Sequence, residues 1–328
     1  MINTLYRSSD GETHAGLDSD AIRTALDDKG GLLWIDLAAE PVENCRALFR
    51  DPFDFHPLAI ADALEETHVP KVDDWGQYLT VTLHAVKFDA GGEEPVDTLE
   101  LDVFLGPNYV VTYHRQPIAA LDDVRALVQR DERRLQQGPA RLLYVLIDEL
   151  IADYMPVIEE IDEKVDRIED EIFDDPRPDI LERMFTLKRG LLLLRRILAP
   201  QREVINKLAR GDFAMIESGD RIFFRDVYDH VVRLYDITEG MRDLVGGALD
   251  TYLSVVNNRM NDVMKTLTTI TTLFLPISFL VGFFGTNFFH PVAPLGAWTS
   301  LTAFGVMFLL MALVPILMYF WMRRRRWM

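Results

Sequence analysis

The sequence predicts an α+β cytoplasmic domain followed by long helices and a two-span α-helical membrane hairpin. Three observations carry that prediction. Between Thr266 and Met322, 57 consecutive positions hold no Asp, Glu, Lys or Arg. Four arginines, Arg323 to Arg326, follow directly. Upstream, short alternating segments give way after Pro139 to long runs with apolar residues at helical spacing.

Residues 1–140 read as a mixed α/β domain. Gly31 to Ala38 (GLLWIDLA) is a short apolar strand, and Glu40 to Arg50 a helix. Phe55 to Glu66 has helical spacing, with Leu58, Ile60, Ala61 and Leu64 on one side. Tyr78 to Val86 (YLTVTLHAV) alternates and is β-branched, as strands are. Leu99 to Leu105 and Tyr109 to Tyr113 flank the turn Gly106, Pro107, Asn108, which predicts a hairpin. Residues 89–95 (DAGGEEP) form the loop expected to be most flexible.

Residues 141–218 read as an antiparallel helical pair. Arg141 to Phe173 is expected as one helix, carrying Leu143, Leu146, Leu150, Ile158, Ile161, Val165 and Ile168 in register, with an acidic second half. Residues 174–178 (DDPRP) end it. A second helix, from about Asp179 to Arg210, has the opposite bias through Lys188, Arg189, Arg195 and Arg196. The two are expected to complement one another in charge.

Residues 219–287 form a long stalk helix that includes the first span, about 266–286. No stop signal occurs after Arg221. Gly246 and Gly247 cost about 1 kcal/mol each in propensity, but no turn chemistry accompanies them. Continuous to Thr286, such a helix has about 66 residues and measures about 100 Å at 1.5 Å per residue. It calls for lateral partners, and one chain with two spans cannot enclose an ion pathway. A homo-oligomer with this helix along a central axis follows.

Residues 288–298 (FFHPVAPLGAW) are an extracytoplasmic loop, 299–322 the second span and 323–328 a basic tail. Both spans meet the roughly 20-residue requirement of a bilayer core. Basic residues beside a span stay cytoplasmic, which places both termini in the cytoplasm and the hairpin in the cell (inner) membrane. Trp298, Trp321 and Trp327 sit where interfacial aromatics are expected. A buried helical hairpin in a soluble protein is the competing explanation; the span lengths and the arginine stop speak against it.

Composition narrows the partners. The first 322 residues hold 30 Lys and Arg against 52 Asp and Glu. That balance disfavours nucleic acid, whose phosphates need a positive surface, and suits cations, although most of these carboxylates serve solubility. Cys45 is the only cysteine, so no intrachain disulfide or cysteine-based zinc site is possible. The N-terminus has no apolar h-region, so no cleaved signal peptide is indicated. No Walker loop, GxSxG, HExxH or dinucleotide fingerprint occurs, and His56 and His114 lack spaced ligand partners. An enzyme is not indicated, nor is ATP-driven pumping; no cofactor is expected beyond a metal ion.

On the stalk helix, Asp250, Asn257, Asn261, Met264, Thr268, Thr271, Leu275 and Ser278 follow steps of seven, four and three. In a symmetric oligomer each becomes a ring. Amides accept hydrogen bonds from the waters of a hydrated cation, and apolar rings gate by dewetting. Leu267 shares the constriction with Met264. Heptad packing, with Asn257 and Asn261 setting register, explains the spacing equally well. The threonines are weaker signals, since Thr in a membrane helix often bonds its own backbone. Gly285, Thr286 and Asn287 close the span with an amide near the outer interface.

These stretches resemble the CorA family of divalent-cation channels, part of the two-span superfamily named for a Gly-Met-Asn signature. The likeness runs through residues 56–81 (HPLAIADALEETHVPKVDDWGQYLTV), 224–254 (FRDVYDHVVRLYDITEGMRDLVGGALDTYLS), the pore helix and the basic tail. The resemblance implies a homopentameric funnel with one long pore helix per subunit. It implies that Asn287 selects the hydrated ion, with Gly285 and Thr286 completing the triplet. Met264, Leu267 and, more weakly, Leu275 fall on the hydrophobic gate, and Asp250 on an acidic ring. Asp226 matches a regulatory carboxylate whose partner across the subunit interface points to Asp89; a divalent ion bridging them would favour closure.

Two departures bear on ion choice. Thr286 replaces the signature methionine, and the loop lacks acidic residues, leaving His290 as its only titratable side chain. The expectation is a gated importer of hydrated Mg2+, with Co2+ or Ni2+ also admitted and feedback closure by cytoplasmic metal. The alternatives are a Zn2+ transporter, proton-coupled, and a non-conducting membrane sensor of metal. Imidazole suits zinc and nickel, yet a loop histidine is more often a plain turn residue.

Overall fold

The structure, a computed structural model of the chain, describes residues 1–66, 69–88, 95–285 and 301–325. It divides into two units, Met1–Leu249 and Asp250–Met328.

Seven strands build the first unit's sheet: β1 (Ile2–Arg7), β2 (Thr13–Ala15), β3 (Leu32–Ala38), β4 (Lys71–Asp74), β5 (Leu79–Phe88), β6 (Val96–Leu105) and β7 (Tyr109–His114). Their spatial order is β2-β1-β3-β7-β6-β5-β4. Among the described residues only β3 and β7 pair in parallel, with Asp36 opposite Thr112 and Ala38 opposite His114. The turn at Gly106 admits no side chain, because a Cβ there would meet the Tyr109 ring at 2.2 Å. Helices α1 (Ser19–Asp27), α2 (Val42–Arg50) and α3 (Pro57–Leu64) contribute to one core. Its centre is aromatic: Phe55 stacks on Phe104 at 4.3 Å, and Phe49 lies 4.9 Å from Phe104.

Helix α4 (Ala119–Arg130) and a short 3-10 segment, Glu132–Gln137, lead to α5 (Pro139–Ala152), α6 (Tyr154–Asp174) and α7 (Pro178–Arg210). The single helix expected over 141–173 is therefore two, separated at Asp153. Pro156 gives the physical reason: it has no N–H for the Ala152 carbonyl, and its ring crowds that oxygen. Helix α7 ends on Gly211, whose φ of 76° is the left-handed conformation of a helix stop.

Helices α6 and α7 are fastened to β5 by a buried polar triangle. The His84 N–H donates to Gln201 Oε1 at 2.9 Å, Gln201 Nε2 donates to the Tyr154 hydroxyl at 3.2 Å, and that hydroxyl donates to the His84 carbonyl at 2.7 Å. Gly190 on α7 lets the β6 end approach closely, since a Cβ would lie 2.9 Å from Pro95 Cγ. The basic face of α7 is shared. Arg183 binds Glu171 on α6 at 2.6 Å, whereas Arg195 binds Glu239, on the helix that follows, at 2.9 Å.

That helix, α8 (Arg221–Gly285), is continuous over 65 residues; Gly246, Gly247 and Pro276 all lie within it. Among the described residues, the end of α8 and helix α9 (Leu301–Arg324), both in the second unit, are the two helices long and apolar enough to cross a membrane.

Candidate functional site

Every described candidate on the pore face lies on α8, so helical geometry alone fixes their relation. At 3.6 residues per turn, Asn257, Thr271 and Leu275 fall within about 20° of Met264 in direction, and Asp250 and Ser278 within about 40°. Asn261 and Leu267 flank that line by about 60° on opposite sides. An unbroken α8 keeps carboxylate, amides, thioether and hydroxyls on one face. Met264 and Leu267 are more than half exposed in the single chain, at 57% and 58%.

Three threonine hydroxyls of α8 are bonded to their own helix. Thr266 donates to the Asp262 carbonyl at 2.9 Å, Thr269 to that of Lys265 at 2.8 Å and Thr271 to that of Leu267 at 2.9 Å. The Thr271 proton is thus spent on its own helix, and its oxygen retains only acceptor capacity toward an axis. Gly285 is the last described residue of α8. Thr286 and Asn287 lie outside the described residues, as does Asp89, which follows the end of β5.

Asp226 is exposed on α8, one turn before His230. Asp148 on α5 joins them, a residue the sequence pattern hides within an apolar helix. Burial raises the Asp148 carboxyl; the Asp226 charge adds to that rise, and His230, Tyr144 and Arg141 oppose it. The Tyr144 hydroxyl lies 3.5 Å from Asp148 Oδ2. The structure thus gives Asp226 a same-chain carboxylate neighbour that a reading of one helix at a time does not find. The i, i+4 spacing of Asp226 and His230 was the available signal. Among the described residues, no three His, Cys, Asp or Glu side chains are placed to hold a metal within one chain.

An α/β body whose last helix runs on as an apolar span, followed by a second apolar helix, fits the class of two-span membrane transport proteins. The chain belongs to one family of that class, described as the CorA-like Mg2+ transporter protein family, which it matches over residues 29–324. It is a divalent-cation transporter of that family, in which activity is transport and not enzymatic turnover. It is 33% identical over 277 residues to the cobalt/magnesium transport protein CorA of Thermotoga maritima, covering 84% of this chain and 78% of that one. It is 32% identical over 255 residues to the putative metal ion transporter YfjQ of Bacillus subtilis, covering 78% of each. The zinc transport protein ZntB of Yersinia pseudotuberculosis is 23% identical over 324 residues, 94% of this chain and 97% of its own. In fold, the chain matches the complete CorA structure from Methanocaldococcus jannaschii with a TM-score of 0.82 at 21% identity, covering 99% of this chain and 98% of that one.

Proposed function

We propose that the protein is a gated channel that imports hydrated divalent cations, with Mg2+ as its physiological ion, and that it works as a homopentamer with both termini in the cytoplasm. The observation that carries this proposal is the continuity of α8 from Arg221 to Gly285, with a polar-to-apolar face along its second half. One chain with two spans cannot surround a path, so five copies of that face supply the lining.

The mechanism needs no bond chemistry. Mg2+ releases its waters reluctantly, so the Asn287 ring accepts hydrogen bonds from the hydration shell and Gly285 and Thr286 hold that ring at the end of the span. Asn261 and Ser278 continue as acceptors, Thr271 keeps its hydroxyl bonded to its own helix, and the Asp250 carboxylates concentrate cations at the inner end. Met264, Leu267 and Leu275 close the path by excluding water. A membrane potential supplies about 2.3 kcal/mol per charge per 100 mV for entry.

Feedback resides at Asp226 and Asp89. Hard oxygen donors suit Mg2+, and Asp226 is an exposed carboxylate with Asp148 beside it. A divalent ion that bridges Asp226 to Asp89 of the neighbouring subunit removes their repulsion and holds the closed state.

A proton-coupled Zn2+ transporter is the second reading. It draws on Thr286 in place of methionine, on His290 and on the likeness to ZntB. Uptake into proteoliposomes separates the two. Mg2+ entry without a proton gradient supports the channel; Zn2+ entry that collapses when the gradient is removed supports the transporter.

A further inference from the structure

We infer that His114 is held as a buried imidazolium and that, with Asp36 and Arg125, it makes the attachment of α4 to strands β3 and β7 depend on pH. Donors and acceptors settle the protonation. Asp36 Oδ1 accepts the Thr112 hydroxyl at 2.8 Å and faces His114 Nε2 at 3.1 Å. Trp34 Nε1 donates to the same Thr112 oxygen at 3.2 Å, leaving the hydroxyl proton to Asp36. Asp36 Oδ2 accepts from Arg125 Nη2 and, at 3.4 Å, from Asn3 Nδ2. Four donors converging on two oxygens are the surroundings of an ionised carboxylate.

The other ring nitrogen of His114, Nδ1, lies 2.6 Å from the Gln116 carbonyl oxygen. A carbonyl can only accept, and so can a carboxylate. Both nitrogens must therefore carry hydrogen, and only the imidazolium does. A neutral ring would turn a lone pair toward oxygen at one end. Little water is at hand to relieve that clash, because His114 is 3% exposed and Asp36 2%.

Most of the charged groups around the ring are carboxylates. Asp36 faces it from β3, and Asp122 and Arg125 from α4. The buried residues of α5, which also contacts β7, are all apolar. The cleft that His114 borders carries Glu66, which follows α3, Glu100 and Asp102 from β6, and Arg115. Burial pulls the imidazole down, but the bond and charge of Asp36, the Gln116 carbonyl and Asp122 outweigh it and raise its midpoint. Burial pushes Asp36 up, and His114, Thr112 and Arg125 reverse that. A raised folded midpoint gives stability that is complete below the ordinary histidine value of about 6.5 and is lost as pH rises through the folded one. Arg125 keeps its own bond to the Asp36 carboxylate, so loss of the proton loosens the joint without freeing α4.

Exchange of the histidine C2 hydrogen, followed by mass spectrometry on the full chain in detergent, reads this midpoint residue by residue. His114 is expected to titrate above about 6.5, and Asp36→Asn to bring its midpoint down. In thermal unfolding, His114→Gln should lose the part of the alkaline decline that the parent shows. A midpoint at or below the ordinary value in the parent overturns the inference even if neither variant folds. A midpoint that stays raised in Asp36→Asn overturns the role of the carboxylate.

Discussion

The Thr271 hydroxyl donates to the Leu267 carbonyl oxygen at 2.9 Å, one turn back along α8. Its proton stabilises the helix, so it is not a donor to anything on a central axis. Thr271→Val should leave Mg2+ uptake by proteoliposomes within about twofold of the parent, since the hydroxyl is satisfied locally. Asn261→Leu, which deletes an amide, should lower uptake much further. Equal loss in both variants would place the Thr271 oxygen in the ion path.

Asp226 belongs with Asp148 and His230. The double substitution Asp89→Ala with Asp226→Ala should move inhibition by internal Mg2+ to at least several-fold higher concentration, because neither carboxylate of the proposed bridge remains. Concentration series of internal Mg2+ against uptake would read the shift. Unchanged inhibition would remove both residues from the gate.

Asp102 makes a prediction about pH. Burial raises its carboxyl well above the usual range, and the Glu100 charge adds to that, against a hydrogen bond from Thr82 and the charge of Lys71. A raised folded midpoint means stability that is present at low pH and lost as pH rises through that midpoint. Asp102→Asn keeps an acceptor for Thr82 and cannot ionise. It should stabilise the protein at neutral pH, with the gain vanishing as pH falls toward about 3.9. Thermal unfolding at several pH values checks the sign.

The link between the sheet and α6–α7 can be broken at one side chain. Gln201→Leu leaves the His84 N–H without its acceptor, at a cost of about 1–3 kcal/mol. Gly190→Val drives a side chain into Pro95 and should cost about 1–3 kcal/mol by overpacking. Both are read as lowered unfolding temperature, and a neutral result for Gln201→Leu would show that another group satisfies the amide.

Periodicity made part of this architecture legible in advance. Strands β3, β5, β6 and β7 are apolar or alternating and bounded by turn residues, so their existence was readable, as was the unbroken helix after Arg221. The missed elements have weaker patterns. β1 lies between β2 and β3 with mostly half-exposed or exposed side chains, β4 is the charged run Lys71–Asp74, and α1 is a nine-residue helix whose start depends on Asp18 accepting from the Ala21 N–H at 2.9 Å. Pro156 was visible, but its effect at Asp153 was outweighed by an apolar register that continues across the break. On the candidate site, a linear pattern could place Asp250 to Ser278 on one face because one helix holds them all. It could not join Asp148 to Asp226, or Asp36 to His114 and Arg125, because those meetings are made by tertiary packing between distant elements.

Voltage-driven current across a planar bilayer, with Mg2+ as the only permeant cation and no pH difference, tests the channel most directly. The parent should pass Mg2+ current that internal Mg2+ suppresses, and Asn287→Ala should lose it. A parent that passes no current under voltage alone, yet takes up Zn2+ when a proton gradient is imposed, would contradict the channel and assign the chain to coupled zinc transport.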